Sequence, residues 1–245
     1  MVLLEGKSVS KSFGGLMALS GVDFALQKGE ILGLIGPNGA GKTTLFNLIT
    51  GTYRPSSGHI HFLGKEITRS KPHTICRSGI SRTYQLVRPF ASLTVLENVL
   101  VGIYFGRAGG ADHSRRAARG EAEQLLDLVG LAGKIRERAE HLTLMERRRL
   151  EIARALATRP AVLLLDEVGS GLNPTEVAQA MDLIRGLRDR GSTLFMIEHV
   201  MKAIMGLSDR IMVLHHGELI AQGTPEEVAN DRRVITAYLG EKTEF

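Results

Sequence analysis

Residues 36–43 read GPNGAGKT and follow the apolar run ILGLI at 31–35. A string of the form G-x-x-x-x-G-K-[ST] works at one place in a fold, the turn where a buried strand hands over to a helix. Its small residues let backbone N–H groups turn inward around phosphate oxygens, and the helix N-terminus adds the positive end of its dipole. Leu45, Leu48 and Ile49 repeat at helical spacing directly after it, so strand, turn and helix are all in place. Gly36, Pro37, Asn38, Gly39, Ala40 and Gly41 are therefore expected to wrap a nucleotide's phosphates. Lys42 would reach the β- and γ-phosphates, and the Thr43 hydroxyl would meet Mg2+.

Further short apolar runs at residues 22–26, 60–63 and 80–84 read as strands separated by glycine-rich turns. From residue 92 to about 158 the period becomes helical. Ala122, Leu125, Leu126 and Val129 share one face there, and Leu150, Ala153, Ala155 and Leu156 belong to another helix. Strand character returns at 162–165, 193–197 and 210–214, with helical stretches at 175–188 and 200–205 between. Such alternation argues for an α/β fold with a mostly parallel sheet and helices on both faces. The sheet needs strands from both sides of the long helical stretch, which therefore reads as an insertion within one core.

Residues 161–167, AVLLLDE, have the pattern of a buried strand ending in two carboxylates. The apolar run puts Asp166 at the C-terminal edge of a sheet, where open α/β folds bind ligands. Asp166 would hold the Mg2+ hydration shell, and Glu167 would orient or deprotonate an attacking water. Gln85 ends the strand-like ISRTYQ and could coordinate Mg2+ or that water, while His199 ends TLFMIEH and could contact the γ-phosphate. Phe13, in KSFGG, could stack on an adenine, with Gly14 and Gly15 leaving a flat approach.

Composition narrows the alternatives. Over 245 residues, 43% apolar and 23% charged is an ordinary globular balance, which excludes a disordered or fibrous chain. A net charge of +5 does not make a nucleic-acid binder, and Arg115, Arg116 and Arg119 read as a solvated helix face. Cys76 is the only cysteine, so no internal disulfide can form and a reducing compartment is the default. MVLLEGKSVSKSF lacks the basic start and long apolar core of a secretion leader, and no uncharged apolar window is long enough to span a membrane. A soluble, cytoplasmic protein is expected.

The order of these motifs resembles the ATPase subunits of ABC transporters over essentially the whole chain. The strings FGGLMAL, GPNGAGKTTLFNLITG, LTVLENVLVG, LEIARALA, IEHVM, GTPEEV and VITAYLG are similar to those of the branched-chain amino-acid importers. The resemblance implies a P-loop NTPase with a RecA-like core made of residues 1–85 and 159–245. It also implies an N-terminal antiparallel β region and a helical subdomain at 86–158, all within a single domain. Thr44 would join the phosphate-binding set, with ATP and Mg2+ as cofactors. A second ATPase subunit, paralogue or copy, would face this one head to tail, each ATP lying between one P-loop and the other's signature segment. The helical lobe would pass motion to transmembrane permease subunits, with residues 93–98 near the contact, and a periplasmic binding protein would deliver the substrate. The subunit would sit on the inner face of the cell membrane through the permease, with no role for nucleic acid.

Three places depart from that family. Val168 stands where proline is usual, and Asn173 where many relatives have aspartate. The signature LSGGQ is here Leu142, Thr143, Leu144, Met145 and Glu146. A hydroxyl residue followed three positions later by Glu keeps the spacing of a capping box, so the helix start is expected to survive. The lost glycines had let backbone approach a γ-phosphate without side-chain clash. Leu144 and Met145 add bulk, and Glu146 adds a charge facing phosphates if it points inward. Either the ATP site using Thr143, Leu144, Met145 and Glu146 is weakened, or a slight backbone shift keeps both sites working.

The nearest rival is the ATPase of a lipid or lipopolysaccharide exporter, which FGG and LITG disfavour. A chromosome-maintenance ATPase needs a long coiled coil, and no sustained heptads lie between Gln85 and Asp166. Translation-linked relatives carry two cassettes where this chain has one. A non-catalytic nucleotide sensor would not need Glu167 and His199.

Overall fold

In a computed structural model, the structure describes residues 1–85, 87–106 and 114–239. Leu86 and residues 107–113 of the expected helical stretch, and Gly240 of VITAYLG, lie outside the described residues. The chain opens with β1 (Val2–Phe13), β2 (Leu16–Gln27) and β3 (Ile31–Ile35), followed by α1 (Lys42–Ile49). Then come β4 (Ser57–Phe62), β5 (Lys65–Glu66), α2 (Pro72–Ser78) and β6 (Ile80–Arg82). Helices α3 (Val95–Phe105), α4 (Arg115–Leu128) and α5 (Leu144–Leu156) precede β7 (Val162–Asp166) and α6 (Pro174–Asp189). The chain continues through β8 (Leu194–Ile197), α7 (Met201–Leu207), β9 (Arg210–His215) and β10 (Glu218–Gly223) to α8 (Pro225–Asn230) and α9 (Arg232–Leu239). These elements form two compact units: Met1–Pro72 with Leu187–Phe245, and His73–Gly186.

In the first unit, β1 pairs antiparallel with both β2 and β4, in the order β2-β1-β4-β5. Strand β3 runs parallel to β8 on one side and β9 on the other, and β10 returns antiparallel along β9. Every residue of β3 and β8 is buried, the unbroken apolar pattern of a parallel strand covered on both faces. Phe46 of α1 meets Phe195 of β8 edge-on with ring centroids 5.1 Å apart, and Phe24 of β2 lies 6.0 Å from the same ring. Gly33 lets α7 lie directly on β3, since a Cβ there would come within 2.6 Å of the Ser208 hydroxyl.

The second unit pairs β6 parallel to β7, with Arg82 opposite Leu164. Among the described residues between these strands there are helices and no strand, as the periodicity predicts. Helices α3 and α5 touch closely: a Cβ on Gly102 would meet that of Ala157 at 2.7 Å. Ala118, Ala122 and Leu126 form the buried stripe of α4, while Arg115, Arg116 and Arg119 point to solvent as expected. Both α3 and α5 begin with complete capping boxes, Thr94 with Glu97 and Thr143 with Glu146.

Candidate nucleotide-binding and hydrolysis site

The phosphate-binding loop belongs to the first unit. It leaves β3 through Gly36 at φ +149, where a Cβ would strike the Leu214 carbonyl oxygen at 2.0 Å, so no other residue fits. Gly41 closes the loop at φ +103 and caps α1 without a side-chain acceptor, and no acidic residue lies in the helix's first turn. Asn38 and Gly39 are exposed, and nothing lies within 4 Å of a Cβ placed on Gly39. Pro37 and Ala40 are buried in the loop wall, the Ala40 N–H donating to the Pro37 carbonyl. Lys42 folds its ammonium back into the loop, donating to the carbonyls of Gly36 at 2.6 Å and Pro37 at 2.8 Å. Thr43 is exposed and Thr44 half-buried on the first turn of α1. This arrangement, a cation and uncapped helix donors around an open glycine, suits an anion.

In the same unit, β8 stops at Ile197, so His199 lies two residues beyond the strand rather than at its end. The residue is exposed, and its backbone N–H donates to the carboxylate of Glu198 at 3.1 Å. Phe13 ends β1, packed edge-on against Tyr53 at 5.2 Å with the Lys11 ammonium 4.9 Å from its ring centroid.

The carboxylates belong to the second unit. Asp166 ends β7 and is held by the last residue of β6 and the one after it: Thr83 accepts its N–H at 3.1 Å, and Arg82 donates to its Oδ2 at 2.5 Å. The Arg82 and Asp166 side chains are nearly fully buried. Burial pushes the Asp166 carboxyl above its ordinary value, although the Arg82 guanidinium pulls the other way. Asp166 Oδ1 is buried with no partner among the described residues. Glu167 follows in the left-handed region at φ +50, a conformation that turns its side chain off the line of the strand. Gln85 Nε2 donates to Glu167 Oε2 at 2.7 Å, so these two predicted residues meet directly.

The signature segment starts α5. Thr143 accepts the Glu146 N–H at 3.3 Å, and Glu146 accepts the Thr143 N–H at 2.9 Å. Glu146 also pairs with Lys134 at 2.9 Å. Partial burial raises its carboxyl, but the bonds from Lys134 and Thr143 outweigh that and hold it below its ordinary value. Met145 is only 6% exposed, so of the two bulky replacements only Leu144, 44% exposed, presents its side chain outward. Leu144 leans on the loop after β7, its Cδ2 lying 3.1 Å from a Cβ placed on Gly171. The other departures are absorbed: Val168 is buried, and Asn173 caps α6 in a reciprocal exchange with Glu176 at 3.0 Å.

Sequence reasoning passed over Arg82, Thr83, Arg148 and Glu151. For Arg82 a signal was present, since it shares the strand parity of the apolar Ile80. For Arg148 and Glu151 there was none, because a basic run on a helix reads as surface.

A glycine-built phosphate loop opening a helix, with a buried strand ending in Asp and Glu, defines a class. The chain belongs to the ABC transporter family, whose pattern matches residues 19–170, and with it to the ATP-hydrolysing cassettes. A second pattern, described as branched-chain amino acid ATP-binding cassette transporter, matches residues 218–243. The chain is 42% identical, over 98% of both chains, to the high-affinity branched-chain amino acid transport ATP-binding protein LivG of Salmonella typhimurium. It is 35% identical, again over 98% of both, to the lipopolysaccharide export system ATP-binding protein LptB of Acidithiobacillus ferridurans. Among solved structures it resembles an ATP-binding cassette of an ABC transporter in its ADP conformation, with a TM-score of 0.86 and 30% identity over 98% of this chain and 99% of that one. Among the described residues, no helix is long and apolar enough to cross a membrane.

Proposed function

We propose that this chain is the ATP-hydrolysing subunit of an importer of branched-chain or related amino acids. It works as one of two ATPase subunits beneath transmembrane permease subunits, with a periplasmic binding protein supplying substrate, and is held at the inner face of the membrane through the permease. Its residues act as one cassette, with 86–158 as the helical subdomain. Backbone N–H groups from Gly36 to Thr44 hold the phosphates, Lys42 neutralises them, His199 contacts the γ-phosphate and Phe13 stacks on the adenine. Thr143, Leu144, Met145 and Glu146 face the partner's ATP through their backbone N–H groups.

The bond from Gln85 to Glu167 carries the catalytic reading, because it places a neutral amide on the carboxylate that would take the proton of an attacking water. The buried Oδ1 of Asp166, with no partner among the described residues, fits a cation that takes few protein ligands and keeps its waters. Bound Mg2+ would spread the charge developing on the transferring phosphoryl group. Arg82 holds the other oxygen of Asp166, and so decides which oxygen is offered.

The match at residues 218–243 and the higher identity to the amino-acid transport ATPase support the importer over a lipid or lipopolysaccharide exporter. The test is reconstitution of the chain with its permease in vesicles. Binding-protein-dependent accumulation of labelled leucine, isoleucine or valine on ATP addition is expected. Lipid-stimulated turnover with no amino-acid uptake would favour the exporter instead.

A further inference from the structure

Gln85 sits in a loop, exposed, yet its amide reaches Glu167 with good hydrogen-bond geometry. What holds the loop is α5, the helix that the signature segment begins. Glu151 accepts the Tyr84 N–H at 2.8 Å, and Arg148 donates to the Tyr84 carbonyl at 3.1 Å and to the Ser170 carbonyl at 3.3 Å. One turn further along, Arg154 donates to the Arg88 carbonyl at 3.1 Å and lies over the Phe90 ring at 4.7 Å. Residues 148, 151 and 154 are three apart, so they form one row along a helix face. The backbone carrying Gln85 is thus gripped on both sides of that residue. Asn98 of α3 adds a further anchor, bonding both the N–H and the carbonyl of Phe90 at 2.9 and 3.1 Å.

Arg148 and Glu151 are only 5% and 8% exposed. Burying an arginine and a glutamate within one helical turn is costly before any partner is counted, and leucines would serve a helix interior better. Their polar atoms are directed at backbone groups beside the catalytic pair. We propose that Arg148, Glu151 and Arg154 are positioning residues that set where Gln85 presents its amide to Glu167, so that the pose of α5, and of the signature segment at its start, is read out at the catalytic carboxylate. The inference rests on the reading of Glu167 as the group that handles water.

The experiment measures kcat, KM for ATP and nucleotide affinity for Glu151→Leu, Glu151→Gln, Arg154→Met and Glu167→Gln in the assembled transporter. Glu151→Leu removes the acceptor for Tyr84 and should lower kcat by about 10- to 100-fold, with KM and nucleotide affinity within about twofold. Glu151→Gln keeps an acceptor oxygen and should recover most of that loss. Combined with Gln85→Ala, Glu151→Leu should add little further loss, because both act through one bond. Arg154→Met keeps an apolar stem of similar length and loses the guanidinium that bonds Arg88 and lies over Phe90. It should show the same kcat-only pattern, and it decides the matter if Glu151→Leu does not fold. Undiminished kcat in these variants, equal losses in Glu151→Gln and Glu151→Leu, or additive losses with Gln85→Ala would overturn the positioning role. A Glu167→Gln enzyme as fast as the unaltered one would instead overturn the catalytic reading beneath it, whatever the α5 variants do.

Discussion

Gln85 Nε2 and Glu167 Oε2 lie 2.7 Å apart although 82 residues of chain separate them. The bond joins the loop after β6 to the residue after β7, and these two strands are parallel neighbours whose C-terminal ends face the same way. A carboxylate that accepts an amide N–H is held in a fixed direction, which is what a base for water requires. Gln85→Leu removes the donor and should lower ATP turnover by about 10- to 100-fold while leaving nucleotide binding near normal. Phosphate release compared with nucleotide binding checks this, and a loss confined to binding would refute it.

Arg82 and Asp166 form a buried ion pair at 2.5 Å. Breaking such a pair by removing one partner leaves an uncompensated buried charge, typically costing about 3–5 kcal/mol. Arg82→Leu is accordingly expected to destabilise the chain by that order and to raise the Asp166 carboxyl further, since the Arg82 hydrogen bond and charge that oppose the effect of burial are gone. Denaturant unfolding at several pH values reads both effects. Unaltered stability would mean that the pair is not formed in solution.

Burial pushes the Glu151 carboxyl from 4.5 up to about 7, despite the Tyr84 N–H and the charges of Arg148 and Arg154. A carboxyl raised in the folded state binds its proton more tightly there than in the unfolded chain. Its contribution to stability is therefore full below about pH 4.5 and is lost as the pH rises through about 7. Glu151→Gln cannot titrate, so its stability relative to the unaltered chain should rise by about 3 kcal/mol across that window. A difference that stays flat with pH would contradict the buried, proton-holding state of Glu151.

Leu144 is the outward-facing replacement for a signature glycine, while Met145 is buried and Glu146 is held by Thr143 and Lys134. In the proposed two-subunit arrangement, Leu144 is the replacement that would stand as an obstacle to a partner's phosphate. If it weakens that site, Glu167→Gln here and the equivalent change in a paralogous partner should lower steady-state ATPase unequally, and Leu144→Gly should narrow the gap. Equal losses would remove the asymmetric reading.

The contiguous features were legible because their physics is local. GPNGAGKT and AVLLLDE each carry strand, turn and chemistry in one string, and β3, β7, β8 and β9 announce themselves as apolar runs. The polar-rich VLLEGKSVSKSF and ELIAQG gave no such signal, so β1 and β10, whose pairing comes from neighbouring strands, went unread. The strand expected over 80–84 ends at Arg82, because the Tyr84 N–H and carbonyl are taken by Glu151 and Arg148 rather than by a ladder. The capping box of α5 was readable from spacing alone. Where Glu146 points was not, since Lys134 is its tertiary partner.

The most direct test of the whole account is single-turnover and steady-state ATP hydrolysis by Glu167→Gln in the assembled transporter, read beside ATP binding. Loss of the base should lower turnover by about 10²- to 10⁴-fold with ATP still bound. Turnover close to that of the unaltered chain would contradict the assignment of Glu167, and with it the catalytic role of the Gln85 bond.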